Sequence, residues 1–192
     1  MQSPPEPTTS AEERKKLLQF ARESVESAIT GSVFKPAPKD DLFSRICGVF
    51  VTLHVSGKLR GCIGVVEPSE LLRDSIAHCS ASAALHDPRF PPIRAEELKR
   101  LEIEISLLSR PAPIRPDQIV LGRHGLIVAS ERKRGLLLPQ VATEHRLDRE
   151  TFLAETCKKA GLPRDAWKSD SVEIFCFTCE VFSDHEERGS DG

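Results

Sequence analysis

Two apolar segments joined by Ser56-Gly57 constrain the fold of this chain more than any other feature of its sequence. Residues 47–55 (CGVFVTLHV) and 58–66 (KLRGCIGVV) are rich in residues that strands favour, and a Ser-Gly pair between such segments is typical of a tight turn. The pattern predicts an antiparallel β-hairpin. Because both of its faces are largely apolar, we expect the hairpin to lie centrally in its sheet, with each face covered.

A two-residue turn also fixes which residues face each other across the hairpin. Arg60 and Cys62 are two residues apart in one strand, so we expect their side chains to project from the same face. The predicted cross-strand pairs are Val55 with Lys58, Leu53 with Arg60, and Val51 with Cys62. A longer turn would give every side chain a different partner.

The rest of the chain alternates helical and strand-like periodicity. The predicted elements are a helix capped by Ser10 and ended by Gly31, a helix at 69–85, a strand at 101–109, a second hairpin formed by 125–130 and 136–142, a helix at 148–161 and a strand at 172–182.

The two halves of the chain have the same order of predicted elements. Aligning Arg60-Gly61 with Arg134-Gly135 places hairpin on hairpin, helix on helix and strand on strand. This order predicts an internal β-β-α-β duplication, although the halves share little identity and chance similarity stays open.

These elements predict an α+β fold with a mainly antiparallel sheet and flanking helices. We expect one domain at 11–183. The segments at 1–10 and 184–192 have compositions typical of disordered tails.

Composition excludes several classes of function. The 192 residues include 27 basic and 29 acidic side chains, for a net charge of −2, while aromatic residues make up 5% and tyrosine is absent. Such a chain has neither the positive field nor the stacking platform that nucleic-acid binding needs. The sequence has no apolar run of about 18 residues and no phosphate-loop or dinucleotide motif. We therefore expect a soluble cytoplasmic protein that neither spans a membrane nor binds nucleic acid.

The six cysteines lie mostly in apolar segments, as expected of reduced, buried thiols rather than disulfides. Cys176 and Cys179 form a C-x-x-C pattern, but residues three apart in a strand point to opposite faces. No second pair completes a zinc site. The sequence therefore predicts no metal site, and it does not identify a cofactor.

The segment KLRGCIG (58–64) carries the clearest candidate chemistry. An unpaired buried guanidinium is costly, so Arg60 must reach solvent or pair with an acid, for which Glu102 and Glu104 are available. An arginine beside Cys62 would lower the pKa of the thiol and favour a nucleophile.

The glycines of this segment have two interpretations. Gly61 and Gly64 lack a Cβ, so a ligand could approach the strand there. The alternative is a structural strand whose small residues let a helix or another backbone pack closely, beside an inert cysteine.

Two other segments add polar candidates. In DPRFPPI (87–93), three prolines stiffen the chain and Asp87 can hold Arg89. In GRHG (122–125), we expect His124 to be exposed and consider it a general base, although a lone histidine is more often structural. The predicted catalytic residues are Cys62 and His124, and the predicted binding residues are Arg60, Gly61, Gly64, Arg89 and Glu104.

Six segments of the chain resemble, in order and spacing, the AMMECR domain family. They are LRGCIG (59–64), DPRFPPI (87–93), EISLLS (104–109), GRHGLIV (122–128), GLLLPQVATEH (135–145) and CKKAGLP (157–163). The resemblance covers residues 12–183, and LRGCIG is its hallmark. Leu147 departs from the family pattern, in which an aromatic residue is expected.

The resemblance implies an α+β fold with a larger and a smaller lobe and a cleft lined partly by LRGCIG. It also implies a role as component A of a three-part system with a Memo-like protein and a radical-SAM protein, but no established reaction. Two functions therefore stay open. One is a protein that binds a small molecule or a modified peptide, with Cys62 as a covalent nucleophile. The other is a non-catalytic adaptor that contacts an acidic partner through the basic loop 131–135.

Overall fold

A computed structural model describes residues 8–34, 40–67 and 69–184. Most of the two predicted tails, and Pro68 at the predicted start of the second helix, lie outside the described residues. The elements are α1 (Ala11–Thr30), β1 (Gly48–Val55), β2 (Lys58–Val65), α2 (Leu72–Leu85), β3 (Leu101–Leu108), β4 (Ala112–Pro113), β5 (Gly125–Ser130), β6 (Lys133–Leu137), α3 (Pro139–Glu144), α4 (Arg149–Lys159), β7 (Glu173–Phe177) and β8 (Cys179–Ser183). Short 3₁₀ turns occupy Ala95–Arg100, Pro116–Gln118 and Ala166–Lys168.

Two four-stranded sheets organise these elements. Sheet I has the strand order β2-β1-β3-β8, and sheet II has the order β4-β7-β5-β6. The chain divides into a first unit, residues 8–107 and 180–184, and a second unit, residues 108–179. Antiparallel pairing of β1 with β2, and of β5 with β6 and β7, confirms the predicted α+β fold. The predicted lobes, cleft and duplication remain predictions.

Helix α1 begins and ends where the sequence predicts. The Ser10 side chain accepts a hydrogen bond from the Glu13 amide, and the Glu13 carboxylate accepts one from the Ser10 amide. Gly31 ends the helix with a φ of 70°, a conformation that glycine adopts without strain. The apolar face of α1 packs in the core of the first unit. None of the helices in the described part of the chain is long and apolar enough to cross a bilayer.

Two ion pairs join α1 to Glu180 of β8 and to Asp184. Arg14 contacts Glu180 at 2.7 Å, and the Thr9 hydroxyl donates to the same carboxylate at 2.9 Å. Arg22 pairs with Asp184, whose second oxygen accepts the Ile103 amide at 3.0 Å. Residues 8–10 and 184, which the sequence assigned to tails, therefore take part in the fold.

The predicted hairpin is present, but its register changes beyond the turn. Ser56 (φ 51°) and Gly57 (φ 73°) form the turn, and Val55 lies opposite Lys58 as predicted. A β-bulge then inserts Arg60 as an extra residue, so Leu53 faces Gly61 instead of Arg60. The predicted pairing of Val51 with Cys62 is also wrong, because Thr52 faces Cys62 and Val51 faces Ile63.

Strand β2 lies at an edge of sheet I, so the predicted central position of the hairpin is wrong. The hydrophobic core of the first unit covers one face of the sheet, where alternate residues of β1 and β3 are fully buried. The opposite face carries half-buried polar residues. These residues are Thr52 and His54 of β1, Cys62 of β2, and Glu102 and Glu104 of β3.

Gly61 allows helix α2 to pack directly on β2. A Cβ at this position would overlap the carbonyl oxygen of Ala83, near the end of α2. In the second unit, a Cβ at Gly135 of β6 would overlap the backbone of Ala160, which ends α4. In each unit, therefore, a glycine in the second strand of the hairpin admits the end of a helix.

The predicted strand 172–182 divides at Thr178 into β7 of sheet II and β8 of sheet I. The two cysteines of the C-x-x-C pattern consequently belong to different sheets, with Cys176 buried and Cys179 half-buried. Among the described residues, no group of three or more His, Cys, Asp or Glu side chains is arranged to hold a metal ion.

We predict that Gly61→Ala lowers the free energy of unfolding by about 3 kcal/mol, because the added methyl group must displace backbone rather than a flexible side chain. Urea denaturation at pH 7 measures this change. Gly57→Asn is the matched control, since its turn position is open and asparagine tolerates a positive φ. A loss no larger than that of the control would contradict the packing role of Gly61.

Candidate active site

The segment after α2 covers the outer edge of β2 with side chains. The Asp87 carboxylate accepts the amide hydrogen of Cys62 at 2.8 Å, and the Arg89 guanidinium donates to the Cys62 carbonyl oxygen at 3.2 Å. An edge strand exposes just such unpaired backbone groups. The side chains of Asp87 and Arg89 therefore form the two hydrogen bonds that a neighbouring strand would form with Cys62. They bring together Cys62 and Arg89, two of the predicted site residues.

Asp87 holds Arg89 through a two-pronged ion pair, as the sequence predicts. The Arg89 Nε lies 2.9 Å from Oδ1 and Nη2 lies 2.7 Å from Oδ2. Hydrogen bonds from Arg89 hold the pKa of the Asp87 carboxyl well below its usual range, with the Cys62 amide contributing, and Asp87 in turn raises the pKa of Arg89. The Asp87 side chain is 2% exposed, whereas that of Arg89 is 55% exposed. Arg89 is thus a fixed cation that still faces solvent.

Arg60 is anchored by a different acid from those the sequence suggested. Its Nε and Nη2 contact the two Glu97 oxygens at 2.9 and 3.1 Å, and its Nη1 donates to the Pro91 carbonyl at 3.1 Å. The prediction of Glu102 or Glu104 as partner is therefore wrong. The bulge changes the direction of the Arg60 side chain, which reaches the 3₁₀ turn at Ala95–Arg100 rather than a neighbouring strand.

The Cys62 thiol lies on the polar face of sheet I. Its sulfur is 3.2 Å from the Thr52 hydroxyl, and the side chain is only half-buried. By strand alternation, His54 and the predicted residue Glu104 share this face. Cys79 of helix α2, by comparison, is buried. Among these residues, Cys62 combines a thiol with a polar, partly open environment.

The two glycines of the hallmark segment are explained by packing. The space beside Gly61 is filled by Ala83, and a Cβ at Gly64 would overlap the Phe50 ring and crowd the Val49 carbonyl oxygen. This geometry agrees with the structural alternative for both glycines. Their binding role remains a prediction.

His124 belongs to the second unit and is fully buried, so the expectation that it is exposed is wrong. Its Nδ1 accepts the Val120 amide at 3.1 Å within a turn that also bonds the His124 amide to the Val120 carbonyl. Burial, together with Arg123, lowers the pKa of the imidazole, which is therefore neutral at pH 7. Its catalytic role remains a prediction, because Cys62 lies in the first unit.

Comparison with known proteins assigns a family to this arrangement. The family model of AMMECR1 matches residues 18–182, nearly the whole described chain. The chain belongs to the AMMECR1 family. The predicted resemblance is thereby confirmed. Two of the segments on which the prediction rests, LRGCIG and DPRFPPI, meet at Cys62.

Archaeal relatives of this AMMECR1-family protein align with it over most of its length. A protein of Methanosarcina acetivorans is 41% identical over 184 residues, with 90% of this chain and 92% of the relative covered. One from Methanothermobacter thermautotrophicus is 43% identical over 187 residues, covering 93% and 96%. The crystal structure of an uncharacterised protein from Pyrococcus horikoshii, 40% identical, superimposes with a TM-score of 0.81 over 91% of this chain and 92% of that one. The names of these relatives state no activity.

Sequence reasoning missed Thr52, Glu97 and the backbone role of Asp87 in this AMMECR1 protein. Thr52 was assigned to the opposite face from Cys62 because the bulge is not visible in the hairpin pattern. Glu97 has a detectable signal, since it also accepts the Arg94 amide as the third residue of a capped turn.

We predict that Asp87→Asn lowers the free energy of unfolding at pH 7 by about 3 kcal/mol, because it leaves Arg89 and the Cys62 amide without their ionised acceptor. The lowered pKa means that this contribution is complete above about pH 4, the unfolded value. It is lost as the pH falls through the lower folded value.

Urea unfolding between pH 7 and pH 3 measures both effects, and the wild type should lose stability on acidification more steeply than Asp87→Asn. Asp117→Asn is the control, because Asp117 forms an exposed pair with Arg115. Parallel pH profiles for the wild type and Asp87→Asn would contradict the role of the buried carboxylate.

Proposed function

We propose that the first unit binds a small organic anion beside Cys62, whose thiol then forms a covalent bond with an electrophilic carbon of the ligand. The observation that carries this proposal is the position of Arg89, which is fixed by Asp87, contacts the Cys62 carbonyl and is still 55% exposed. A cation held in place next to a thiol gives the ligand both an anchor and a reaction partner.

The hydrogen bonds of Arg89 support this proposal. Its Nε and Nη2 donate to Asp87 and Cys62, and among the described residues Nη1 makes no hydrogen bond, while the guanidinium lies 5.3 Å from the centre of the Phe90 ring. The two N–H groups of Nη1 therefore remain for an acceptor on a ligand. Arg60, in contrast, directs Nε, Nη1 and Nη2 at protein acceptors, so its position favours a structural role.

The proposed covalent step is addition of the thiol to a carbonyl group of the ligand. A bond forms between the Cys62 sulfur and the carbonyl carbon as the carbon–oxygen π bond breaks. The thiol proton passes to the carbonyl oxygen through solvent, so no oxidant and no leaving group are needed. Thr52, 3.2 Å from the sulfur, is placed to orient the thiol during this step.

We predict that Cys62 prefers iodoacetate over iodoacetamide, relative to free cysteine, by about threefold, because Arg89 attracts the carboxylate of the reagent. Alkylation displaces iodide in both cases, so the two reagents differ mainly in charge. Mass spectrometry of digested protein reports each cysteine separately. The half-buried Cys179 serves as an internal control.

Arg89→Gln should abolish this preference, and Arg89→Lys should restore most of it. Arg73→Gln, which removes a cation from α2 in the same unit, should leave it unchanged. The proposal fails if Cys62 reacts with neither reagent in the folded protein, or if Arg89→Gln keeps the wild-type preference.

We further propose that the protein acts in the cytoplasm with a Memo-like protein and a radical-SAM protein. Family membership supports this partnership, and six free thiols suit a reducing compartment. The modified peptide considered as a ligand would then be a product or substrate of these partners. Co-purification of the three proteins from one organism tests the assembly, and failure of both partners to bind would refute it.

The structure gives less support to the adaptor alternative, in which the basic loop 131–135 contacts a partner. Lys133 donates to the Gly161 carbonyl at 2.7 Å and is therefore used within the second unit. A partner would have to recognise a surface whose cations are partly committed to the fold. Pull-downs with charge reversal at Arg132, Lys133 and Arg134 distinguish this function, because only an adaptor would lose partners without losing the Cys62 reactivity.

A further inference from the structure

A concave surface in the second unit has the features of a separate ligand site. It encloses about 670 Å³, within the range of small-molecule pockets. Strand β6, helices α3 and α4, and the connection between the helices supply its walls. The lining residues are Leu137, Val141, His145, Leu147, Glu155, Lys158 and Lys159.

The floor of this cavity is apolar and incompletely covered. Leu137, Val141 and Leu147 pack against the core of the second unit, yet each is only half-buried. A cluster of three such side chains in a concavity retains apolar surface that a ligand can remove from water.

The rim of the cavity is cationic. Its acid, Glu155, is already paired with Arg164 at 2.6 Å and lies 3.9 Å from Lys158. Lys159 has no acidic partner among the described residues. The charge that remains for a ligand is therefore positive, which favours an anionic group over a cationic one.

We propose that this cavity binds an amphipathic organic anion, with its apolar body on Leu137, Val141 and Leu147 and its acidic group between Lys158 and Lys159. The ligand class follows from the pairing of an apolar floor with a positive rim in a cavity of this size. The site is distinct in its residues from the one at Cys62 and does not depend on the function proposed there.

Two fluorescent probes of similar shape test the proposal with the full chain. The anionic probe is 8-anilinonaphthalene-1-sulfonate, and N-phenyl-1-naphthylamine has the same aromatic body without the sulfonate. We expect one saturable site for the anion. The double variant Lys158→Gln/Lys159→Gln should weaken the anionic probe about fivefold and the neutral probe less than twofold. The control Lys58→Gln/Lys99→Gln removes two exposed cations from the first unit and should change neither.

Leu147→Trp is the second test, because a larger side chain fills the cavity without introducing charge. It should weaken both probes more than tenfold, while thermal unfolding shows a folded protein. Decanoate should displace the bound anion, and decyltrimethylammonium should not. The proposal is overturned if the anion binds without saturation, if the double lysine variant binds it within twofold of wild type, if Leu147→Trp binds both probes normally, or if the cation displaces it.

Discussion

The buried carboxylate of Asp87 is the group on which the arrangement around LRGCIG depends. It accepts the Cys62 amide, the Arg89 amide and two guanidinium nitrogens, and these donors offset the cost of removing a charge from water. Through Arg89 it also reaches the Cys62 carbonyl. Asp87, directly and through Arg89, thus satisfies the amide and the carbonyl oxygen of Cys62 at the open edge of β2. A further strand therefore cannot form hydrogen bonds with β2 at this residue.

A second acid, Glu97, fixes the same edge from the other side of the bulge. The extra residue in β2 turns Arg60 toward Glu97, and the Pro91 carbonyl takes a third nitrogen of that guanidinium. Two arginine–carboxylate pairs therefore hold the segment from Asp87 to Glu97 against β2. Because this segment is bonded to β2 at several points, the motion of Arg89 and Cys62 is limited, as a preorganised site requires.

How far the sequence predicts this structure depends on the range of the interactions that decide each element. Local signals decide α1, where the Ser10–Glu13 cap and Gly31 give both ends, and the turn at Ser56-Gly57, where Val55 and Lys58 pair as predicted. The bulge at Arg60 accompanies a salt bridge to Glu97, 37 residues further along the chain, which no strand pattern contains. The predicted exposure of His124 is wrong for a similar reason, because the signal is its local position beside the turn residue Gly125, while its burial is set by the fold.

The site is predictable in part for the same physical reason. Cys62 and Arg89 were both identified by residue type, but their contact requires the edge position of β2, and the pattern of apolar residues on both faces argued for a central strand. To place Glu104 on the same face of sheet I as Cys62, the register of the β1–β2 hairpin must also be known. Residue chemistry therefore pointed to the participants, whereas tertiary structure decided their partners.

The two sheets share an order of strands, and this order distinguishes residues that packing requires from residues that are left for chemistry. Both sheets place the second hairpin strand at an edge, the first strand beside it, the strand after the helix next, and a short strand last. Gly61 and Gly135 occupy the same step of this order, and each admits the end of a helix. The residue after Gly135 is Leu136, whereas the residue after Gly61 is Cys62. Packing therefore accounts for the glycine in both units, whereas the Cys62 thiol beside Asp87 and Arg89 takes part only in the proposed chemistry.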